Sequence, residues 1–275
     1  VTHVLDYAAA HAAEIRRIHK EYGPLAILAQ GDGHGENKTI HTPHGHQARL
    51  LDMMGGFTQQ VRNPDSWEGW YWGAKHVWGQ GFQGMMSPAA NLIKDISENC
   101  DMVLKWGCDE ETTPWGFTGQ YASRISQFWT RAGIKQVYVC PDLNYAAAVH
   151  GDKWIPVLPN TDAALQLAVI YVWLTEGTWD KEYVATHAVG MDKVAAYVLG
   201  EDEEGIPKTP EWASKRCGVP EWTIKALARE FASKTTSISH YFGGSAFRGP
   251  YSHEPGRLEC VMLGMQGLGG PGVHQ

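Results

Sequence analysis

Hydrophobic and polar residues follow two periodicities along this chain, and together they predict strands that alternate with helices. Continuous apolar runs at 102–106 and 136–140 predict buried strands, each followed by a polar loop. Shorter runs at 24–29, 154–157 and 237–242 predict three more strands. Because strands separated by helices form parallel sheets covered on both faces, the pattern predicts an α/β fold with a mostly parallel sheet flanked by helices.

Apolar residues spaced three and four apart predict the helices that cover this sheet. The segments with this spacing are 7–21, 44–54, 88–98, 119–131, 161–175, 221–233 and 255–268, with a further helix before Gly218. The organisation changes beyond Gly177. The sequence therefore predicts an α/β domain over 1–177 and a continuation of helices and strands over 178–275, with a single domain as the alternative.

Composition narrows the classes of function. The chain has 275 residues and a formal net charge of −7, so it lacks the basic field that attracts nucleic acid. Its five cysteines form no C-x-x-C pair, which disfavours a zinc ribbon, an iron–sulfur cluster or a disulfide framework and favours a reduced, cytoplasmic setting. We expect no membrane span, since no apolar run reaches about 18 residues. The ends indicate the middle of a longer polypeptide, because the first residue is Val1 and the last follow a glycine-rich run.

Acidic residues follow two of the predicted strands. Gly107, Cys108 and Asp109 come after the strand at 102–106, and Asp142 comes after the strand at 136–140. Since parallel strands end at one edge of the sheet, these residues predict a site for a nucleotide-like ligand there. Backbone amides of Gly107 and Cys108 would approach a pyrophosphate, and Asp109 or Glu110 would accept from a ribose hydroxyl.

Aromatic residues are unusually dense between 65 and 82, where the sequence is DSWEGWYWGAKHVWGQGF. Indole and phenol rings combine an apolar body with a polar tip, which suits a flat, partly wet pocket. The alternative is an aromatic core beneath loops. The charged residues and histidines mixed among the rings favour the pocket.

Four segments in register resemble the molybdopterin oxidoreductases of the dimethyl sulfoxide reductase family. They are GCDEETTPW, CPDLNYAAAVHGDKWIPVLPNTDAAL, TPEWASKRCGVPEWTIKALARE and GGSAFRGPYSHEPGRLECVMLGMQGLGGPGV. The resemblance covers essentially the whole chain. It implies an enzyme with molybdenum or tungsten held between two molybdopterin guanine dinucleotides. It also implies a separate partner subunit with iron–sulfur clusters in a heterodimer.

Within the family, Asp65-Ser66-Trp67 and His34 resemble members that transfer a hydroxyl group between polyhydroxylated benzenes. The resemblance implies that Ser66 is the protein ligand of the metal and that His34, Asp65 and Trp67 form the catalytic set. His34 and Asp65 would transfer protons. Taken alone, Ser66 would be a turn serine and His34 a solvated loop histidine. Cys108 is kept as the alternative metal ligand.

The resemblance also implies which residues bind the dinucleotides. Asp162 would accept from guanine N1 and N2, while Pro141 and Leu143 would pack on the base. The alternative for this turn is structural, with Asn160 or Thr161 capping a helix and Asp162 adding charge to its first turn. The complete predicted set is Gly107, Cys108, Asp109, Thr112, Pro141, Asp142, Leu143, Pro159, Thr161, Asp162, Gly243 and Gly244. Arg248 and His253 are weaker candidates for contact with phosphate or substrate.

Three functions remain open from the sequence. The first is a transhydroxylase that acts on polyphenols. The second is another serine-ligated member of the family, which would reduce an S-oxide or an N-oxide. The third is a nucleotide-binding α/β module without catalytic activity.

Overall fold

The structure, a computed structural model, describes residues 2–29, 43–59, 68–79, 89–112, 121–239 and 245–275. The chain divides into two compact units, residues 1–63 and 64–275. Across the described ranges, none of the helices combines the length and the apolar character that crossing a bilayer requires.

In residues 2–29 and 43–59, the described part of the first unit, there are two helices, a 3₁₀ turn and a pair of very short strands. These elements are α1 (Thr2–Tyr22), a 3₁₀ turn (Pro24–Ala26), β1 (Leu28–Ala29), α2 (Pro43–Met53) and β2 (Thr58–Gln59), and β1 and β2 pair in parallel. The strand predicted at 24–29 is wrong in its first half. Pro24 starts a 3₁₀ turn there, closed by the Ile27 amide, which donates to the Pro24 carbonyl at 3.1 Å.

The second unit is built on a four-stranded parallel sheet. Its strands are β3 (Met102–Trp106), β4 (Lys135–Val139), β5 (Lys153–Ile155) and β6 (Thr236–Ser239), in the order β5-β4-β3-β6. The predicted α/β class with a parallel sheet is confirmed. Successive strands run from β3 towards β5, and β6 then lies on the other side of β3, so the strand order reverses beside β3. Such a reversal opens a crevice at the carboxyl edge of a sheet.

Helices cover this sheet. They are α3 (Glu68–Trp78), α4 (Ala89–Asn99), α5 (Tyr121–Ala132), α6 (Tyr145–His150), α7 (Asp162–Glu176), α8 (Lys181–His187), α9 (Met191–Leu199), α10 (Pro210–Cys217), α11 (Glu221–Ser233) and α12 (His253–Gly264). The central helix α7 packs against α10, α11 and α12. Helices before and after residue 177 therefore share one core, within which Trp173 meets Phe231 edge to face at 5.0 Å. The domain boundary at 177 stays a prediction.

Residues 68–78 of the aromatic segment form helix α3, which the sequence pattern had not predicted. Glycines allow α3 and α12 to approach until their backbones touch. A Cβ atom on Gly256 would lie 2.8 Å from the Trp70 carbonyl oxygen, and one on Gly73 would overlap the His253 carbonyl oxygen. Of its rings, Trp70 is buried in the core, whereas Trp72 is 48% exposed. The segment thus contributes both to the core and to the surface.

Candidate functional site

The loops after β3, β4 and β5 meet at the carboxyl edge of the sheet, and side chains tie them together. Asn144 caps α6 by accepting from the Ala147 amide at 2.9 Å, and its own amide group donates to the Cys108 carbonyl at 2.9 Å. The Trp154 indole donates to the Cys140 carbonyl at 3.0 Å. Asn144 thus joins the β3 loop to the β4 loop, and Trp154 joins the β4 loop to β5.

Gly107 makes the turn that follows β3. Its φ of +63° lies in the left-handed region that favours glycine. Its amide donates to the Val139 carbonyl at 2.7 Å, which extends the ladder between β3 and β4. The predicted contact of Gly107 with a pyrophosphate would have to replace this bond, and it stays a prediction.

A buried polar network lies behind the β3 loop and centres on Glu110, whose side chain is fully buried. Its Oε1 accepts from the Lys105 ammonium at 3.1 Å and from the Tyr138 hydroxyl at 2.8 Å. The Ser126 hydroxyl donates to the same oxygen, and the Cys108 thiol donates to Oε2 at 3.1 Å. Lys105 is buried too, at 3% exposure. A charge pair this deep requires nearly all its hydrogen bonds to be satisfied, and this network supplies them.

Electrostatics keep the Glu110 carboxylate ionised. Burial by itself would raise the pKa of Glu110, but the Lys105 charge and the hydrogen bonds from Ser126, Cys108 and Tyr138 outweigh it and lower the pKa to about 2. Burial and the nearby Glu110 charge raise the pKa of the Cys108 thiol well above its ordinary value. Cys108 is therefore a hydrogen-bond donor within the network, and its role as an alternative metal ligand stays a prediction.

The other two acids of the β3 loop, Asp109 and Glu111, also accept hydrogen bonds from the protein. Asp109 accepts from the Thr112 hydroxyl and, at 3.3 Å, from the Ala146 amide in the first turn of α6. Glu111 accepts from the Ser123 hydroxyl at 2.6 Å and lies 2.7 Å from His150 Nε2. Asp109 and Thr112 thus contact each other, and Asp109 also stabilises the start of a helix. The ribose contact predicted for Asp109 or Glu110 and the cofactor contact predicted for Thr112 stay predictions.

The β4 loop differs from the β3 loop because the side chains of residues 141–143 face solvent. Asp142 is exposed, Leu143 is 55% exposed and Pro141 is half-buried. A carboxylate next to two apolar side chains offers an acceptor for hydroxyl groups and a surface on which a flat base can pack. This arrangement fits the contacts predicted for Pro141, Asp142 and Leu143.

The turn into α7 places its acid in the interior. Asp162 is 4% exposed, and its Oδ1 accepts from the Trp106 indole at 2.8 Å. Burial raises the pKa of Asp162, and the Trp106 hydrogen bond opposes that shift. The predicted contact of the Asp162 carboxylate with guanine N1 and N2 stays a prediction. Thr161 stands at the N-cap position, but its hydroxyl donates to the Leu158 carbonyl at 2.7 Å and makes no cap bond.

The predicted catalytic and metal residues lie outside the described residues, as do two cofactor-binding glycines. These are His34, Asp65, Ser66, Trp67, Gly243 and Gly244. Within the part of the chain that the structure describes, no three His, Cys, Asp or Glu side chains converge in a way that could bind a metal ion. The exposed β4 loop and the exposed Pro159 fit a nucleotide, so the described residues suit the dinucleotide part of the predicted cofactor.

Sequence reasoning missed the side chains that organise this edge. Asn144 follows a strand and precedes a short run of alanines, which is an N-cap signal of the ordinary kind. Lys105 interrupts an apolar strand, and this alone indicates that a buried charge needs a partner. Trp106 and Tyr138 carry no such signal, because an aromatic residue in a strand predicts only burial.

Comparisons with known proteins were made for the whole chain. The large subunit of pyrogallol hydroxytransferase from Pelobacter acidigallici is 39% identical over 266 residues, which is 95% of this chain and 30% of that protein. Dimethyl sulfoxide reductase DmsA from Escherichia coli is 31% identical over 92% of the chain and 31% of its own length. Trimethylamine-N-oxide reductase from Vibrio cholerae is 26% identical over 94% of the chain and 32% of its own length. No family model matches the chain.

A solved structure has the same fold. Acetylene hydratase from Pelobacter acetylenicus superposes with a TM-score of 0.63 and 18% identity, over 98% of this chain and 33% of that one. The chain spans about a third of the length of the curated relatives it matches. The resemblance predicted from the four sequence segments is confirmed.

Proposed function

We infer that the chain belongs to the dimethyl sulfoxide reductase family of molybdopterin oxidoreductases and forms part of an enzyme that transfers a hydroxyl group between polyhydroxylated benzenes. The observation that carries this proposal is the 39% identity with a pyrogallol hydroxytransferase subunit over 95% of the chain. The proposed reaction converts pyrogallol to phloroglucinol with a tetrahydroxybenzene as cosubstrate. One ring gains the hydroxyl that the other loses, so the exchange needs no external oxidant.

The described residues are proposed to hold the nucleotide ends of two molybdopterin guanine dinucleotides. Asp142 accepts from a ribose hydroxyl, while Pro141 and Leu143 lie against the base. Asp162 accepts from guanine, which would exclude adenine because an unpaired buried donor is costly. The exposure of the β4 loop supports the contacts proposed for Pro141, Asp142 and Leu143.

Ser66 is proposed to bind the metal, which would be molybdenum or tungsten and would supply the redox chemistry of the site. A hard, high-valent cation favours an alkoxide ligand because it lowers the pKa of the hydroxyl group. His34 and Asp65 transfer protons, first from a phenolic hydroxyl and later to a ring carbon. Trp67 adds an indole wall for the aromatic substrate.

An iron–sulfur subunit is the proposed partner, and a cytoplasmic, anaerobic setting is the proposed location. The relative's description as a large subunit supports a second subunit. Another member of the family is the competing function, supported by the 31% identity with a dimethyl sulfoxide reductase.

A turnover assay on the full-length protein with its partner separates these functions. Pyrogallol plus a tetrahydroxybenzene should be consumed, whereas an S-oxide or an N-oxide should not. Consumption of the oxide alone would reject the transhydroxylase. Absence of both metal and guanine from the acid hydrolysate would favour a nucleotide-binding module without catalysis.

A Ser66→Ala variant tests the ligand. We expect loss of turnover and an altered metal-centred spectrum. Ser233→Ala is the matched control, because the Ser233 hydroxyl only donates to the Glu230 carbonyl at 3.0 Å near the end of α11. An unchanged spectrum in Ser66→Ala would remove Ser66 from the metal site.

A further inference from the structure

The main chain of residues 141–143 is held at one atom, the carbonyl oxygen of Asp142. These residues follow the end of β4 and belong to no strand or helix. Within the described part of the chain, the main chain of 141–143 makes hydrogen bonds only through this oxygen. Two donors reach it, one from the helix side of the loop and one from the strand side. The conformation of the loop that carries Asp142 therefore depends on these two bonds.

Asn144 supplies the donor on the helix side. Its main-chain amide donates to the Asp142 carbonyl at 2.9 Å and closes a three-residue turn around Leu143. The same Asn144 caps α6, so this bond connects the turn to the start of that helix. It does not connect the turn to the sheet.

Cys140 supplies the donor on the strand side. Its thiol donates to the same Asp142 oxygen at 3.2 Å, and a carbonyl oxygen has two lone pairs with which to accept both bonds. Cys140 is 2% exposed, and its amide donates to the Ile155 carbonyl at 3.3 Å. Its own carbonyl accepts from the Trp154 indole at 3.0 Å. The thiol therefore anchors the turn to the buried end of the sheet.

The surroundings of the Cys140 thiol keep it a donor. Burial, with the Asp142 charge adding to it, raises its pKa to about 12, so the thiol stays protonated at neutral pH. The Asn144 side-chain amide donates to Sγ at 3.7 Å. A buried cysteine usually acts only as a small apolar side chain. This one also makes directional contacts on both sides of its sulfur atom.

Holding one carbonyl oxygen restricts more than that atom. Because the peptide unit is planar, the held oxygen limits ψ of Asp142 and φ of Leu143 together. On the other side of Asp142, the ring of Pro141 fixes its own φ. The exposed Asp142 carboxylate thus projects from a constrained main chain. A group that is ordered before binding loses less entropy when a ligand arrives.

We propose that Cys140 is a positioning residue for Asp142, because its thiol anchors the Asp142 carbonyl to the end of β4 and thereby directs the exposed carboxylate toward a ribose hydroxyl. This inference rests on the proposed function, in which Asp142 accepts from that hydroxyl. The Cys140 thiol is buried, so it acts through Asp142 and not by touching the nucleotide.

The experiment compares variants of the full-length holoenzyme by the guanine that stays bound through gel filtration, measured in the acid hydrolysate. Cys140→Ala removes the thiol and should retain about 3-fold less guanine, an effect of the size expected for one hydrogen bond. Cys140→Ser keeps a hydroxyl donor at this position and should retain as much as the wild type. Asp142→Ala, measured alongside, sets the largest loss that positioning can produce.

A double variant tests whether Cys140 acts through Asp142. If the thiol matters only because it positions this carboxylate, adding Cys140→Ala to Asp142→Ala should cause no further loss of guanine. Two independent contributions would instead give losses that multiply. Multiplying losses would contradict the positioning role.

Cys100→Ala is the matched control for a purely structural effect. The Cys100 thiol is also buried and donates to two carbonyl groups, those of Met102 at 2.9 Å and Thr235 at 3.3 Å. It precedes β3 and so lies at the opposite edge of the same sheet. We expect Cys100→Ala to lower the unfolding temperature, as Cys140→Ala does, but to leave the guanine content unchanged.

The outcomes separate this inference from the function on which it rests. A loss of guanine in Asp142→Ala but not in Cys140→Ala would overturn the positioning role alone. Equal losses in Cys140→Ala and Cys140→Ser, or in Cys140→Ala and Cys100→Ala, would overturn it as well. If Cys140→Ala does not fold, Cys140→Val, which fills the space without a donor, decides by the same readout. Unchanged guanine in Asp142→Ala, or a wild type without guanine, would overturn the Asp142 assignment and this inference together.

Discussion

The loops after β3 and β4 lie at the same edge of one sheet and both carry acidic residues, but these residues differ in burial and in the partners they bind. The β3 loop directs Glu110 inward to a buried ammonium and uses Asp109 to stabilise α6. The β4 loop leaves Asp142 and Leu143 exposed to solvent. The first loop therefore forms the support, and the second provides the surface that a ligand can reach.

This difference shows that an acid after a strand does not by itself identify a ligand contact. Whether the acid can bind a ligand depends on how many hydrogen bonds its carboxylate already accepts from the protein. An acid whose oxygens are occupied by its own protein has little left for a ribose, whereas an exposed acid beside apolar side chains has both an acceptor and a platform. Four measurements test whether the two loops differ in this way.

The largest effect is expected for Glu110→Ala. The substitution leaves the Lys105 ammonium buried without its counter-charge, which typically costs about 3–5 kcal/mol in the free energy of unfolding. Asp142→Ala, as the control, should change that free energy by less than about 0.5 kcal/mol. Urea denaturation of the full-length protein, followed by tryptophan fluorescence, measures both. Equal losses would mean that the two loops are equally buried.

The next largest change in stability is expected when pH is lowered far enough to protonate Glu110. The pKa of Glu110 is lowered to about 2 from an ordinary 4.5. A lowered pKa stabilises the fold fully above pH 4.5, and this stabilisation is lost as pH falls towards 2. It amounts to on the order of 3 kcal/mol, since one pKa unit corresponds to about 1.4 kcal/mol.

Glu110→Gln cannot titrate at this position, so it isolates that contribution. The stability advantage of the wild type over Glu110→Gln should shrink as pH is lowered from 5 to 2. Urea midpoints measured at several pH values within that range give the difference. A constant advantage would show that Glu110 ionises normally in the folded protein.

Asn144→Ala should lower the free energy of unfolding by an intermediate amount, because it breaks the hydrogen bond that joins the two loops. It removes the cap bond to the Ala147 amide and the bond to the Cys108 carbonyl, for a loss of about 1–2 kcal/mol. Asn144→Asp keeps the cap acceptor but not the donor. Thermal unfolding should place Asn144→Asp between the wild type and Asn144→Ala. A loss as large as that of Asn144→Ala would mean that the bond between the loops stabilises the fold far more than the helix cap does.

Asp142→Ala should have the smallest effect on stability and a clear effect on binding. The side chain is exposed, so the unfolding temperature should hardly change. If Asp142 contacts a ribose, the purified full-length protein should retain several-fold less guanine nucleotide. Unchanged nucleotide content would contradict its assignment as a ligand.

Much of the sheet could be predicted from the sequence. The apolar run at 102–106 matches β3, and the runs at 136–140 and 154–157 lie within two residues of β4 and β5. β3 and β4 are buried, so their composition signals them directly, whereas in β5 only Ile155 is buried. The strand predicted at 237–242 is observed as β6, Thr236–Ser239, and residues 240–244 lie outside the described ranges.

Helices α3 and α6 were not predicted, for identifiable reasons. The glycines of α3 are poor helix formers, and they are present because α12 approaches so closely that no Cβ fits at Gly73. Helix α6 has only six residues, too few for a periodicity to appear. The Glu110 network could not be predicted either, because Ser126 and Tyr138 are distant from Glu110 in the sequence and contact it only in the folded protein.

The strand order has a consequence for how the protein is made. Met102 pairs with Lys135 in β4 on one side and with Thr236 in β6 on the other. During synthesis β3 can therefore pair with β4 early, whereas it can pair with β6 only after about a hundred more residues have been added. A ribosome-bound intermediate would then present an open edge of β3 to its neighbours. Chaperone capture during translation would protect this edge, since unpaired strand edges promote aggregation.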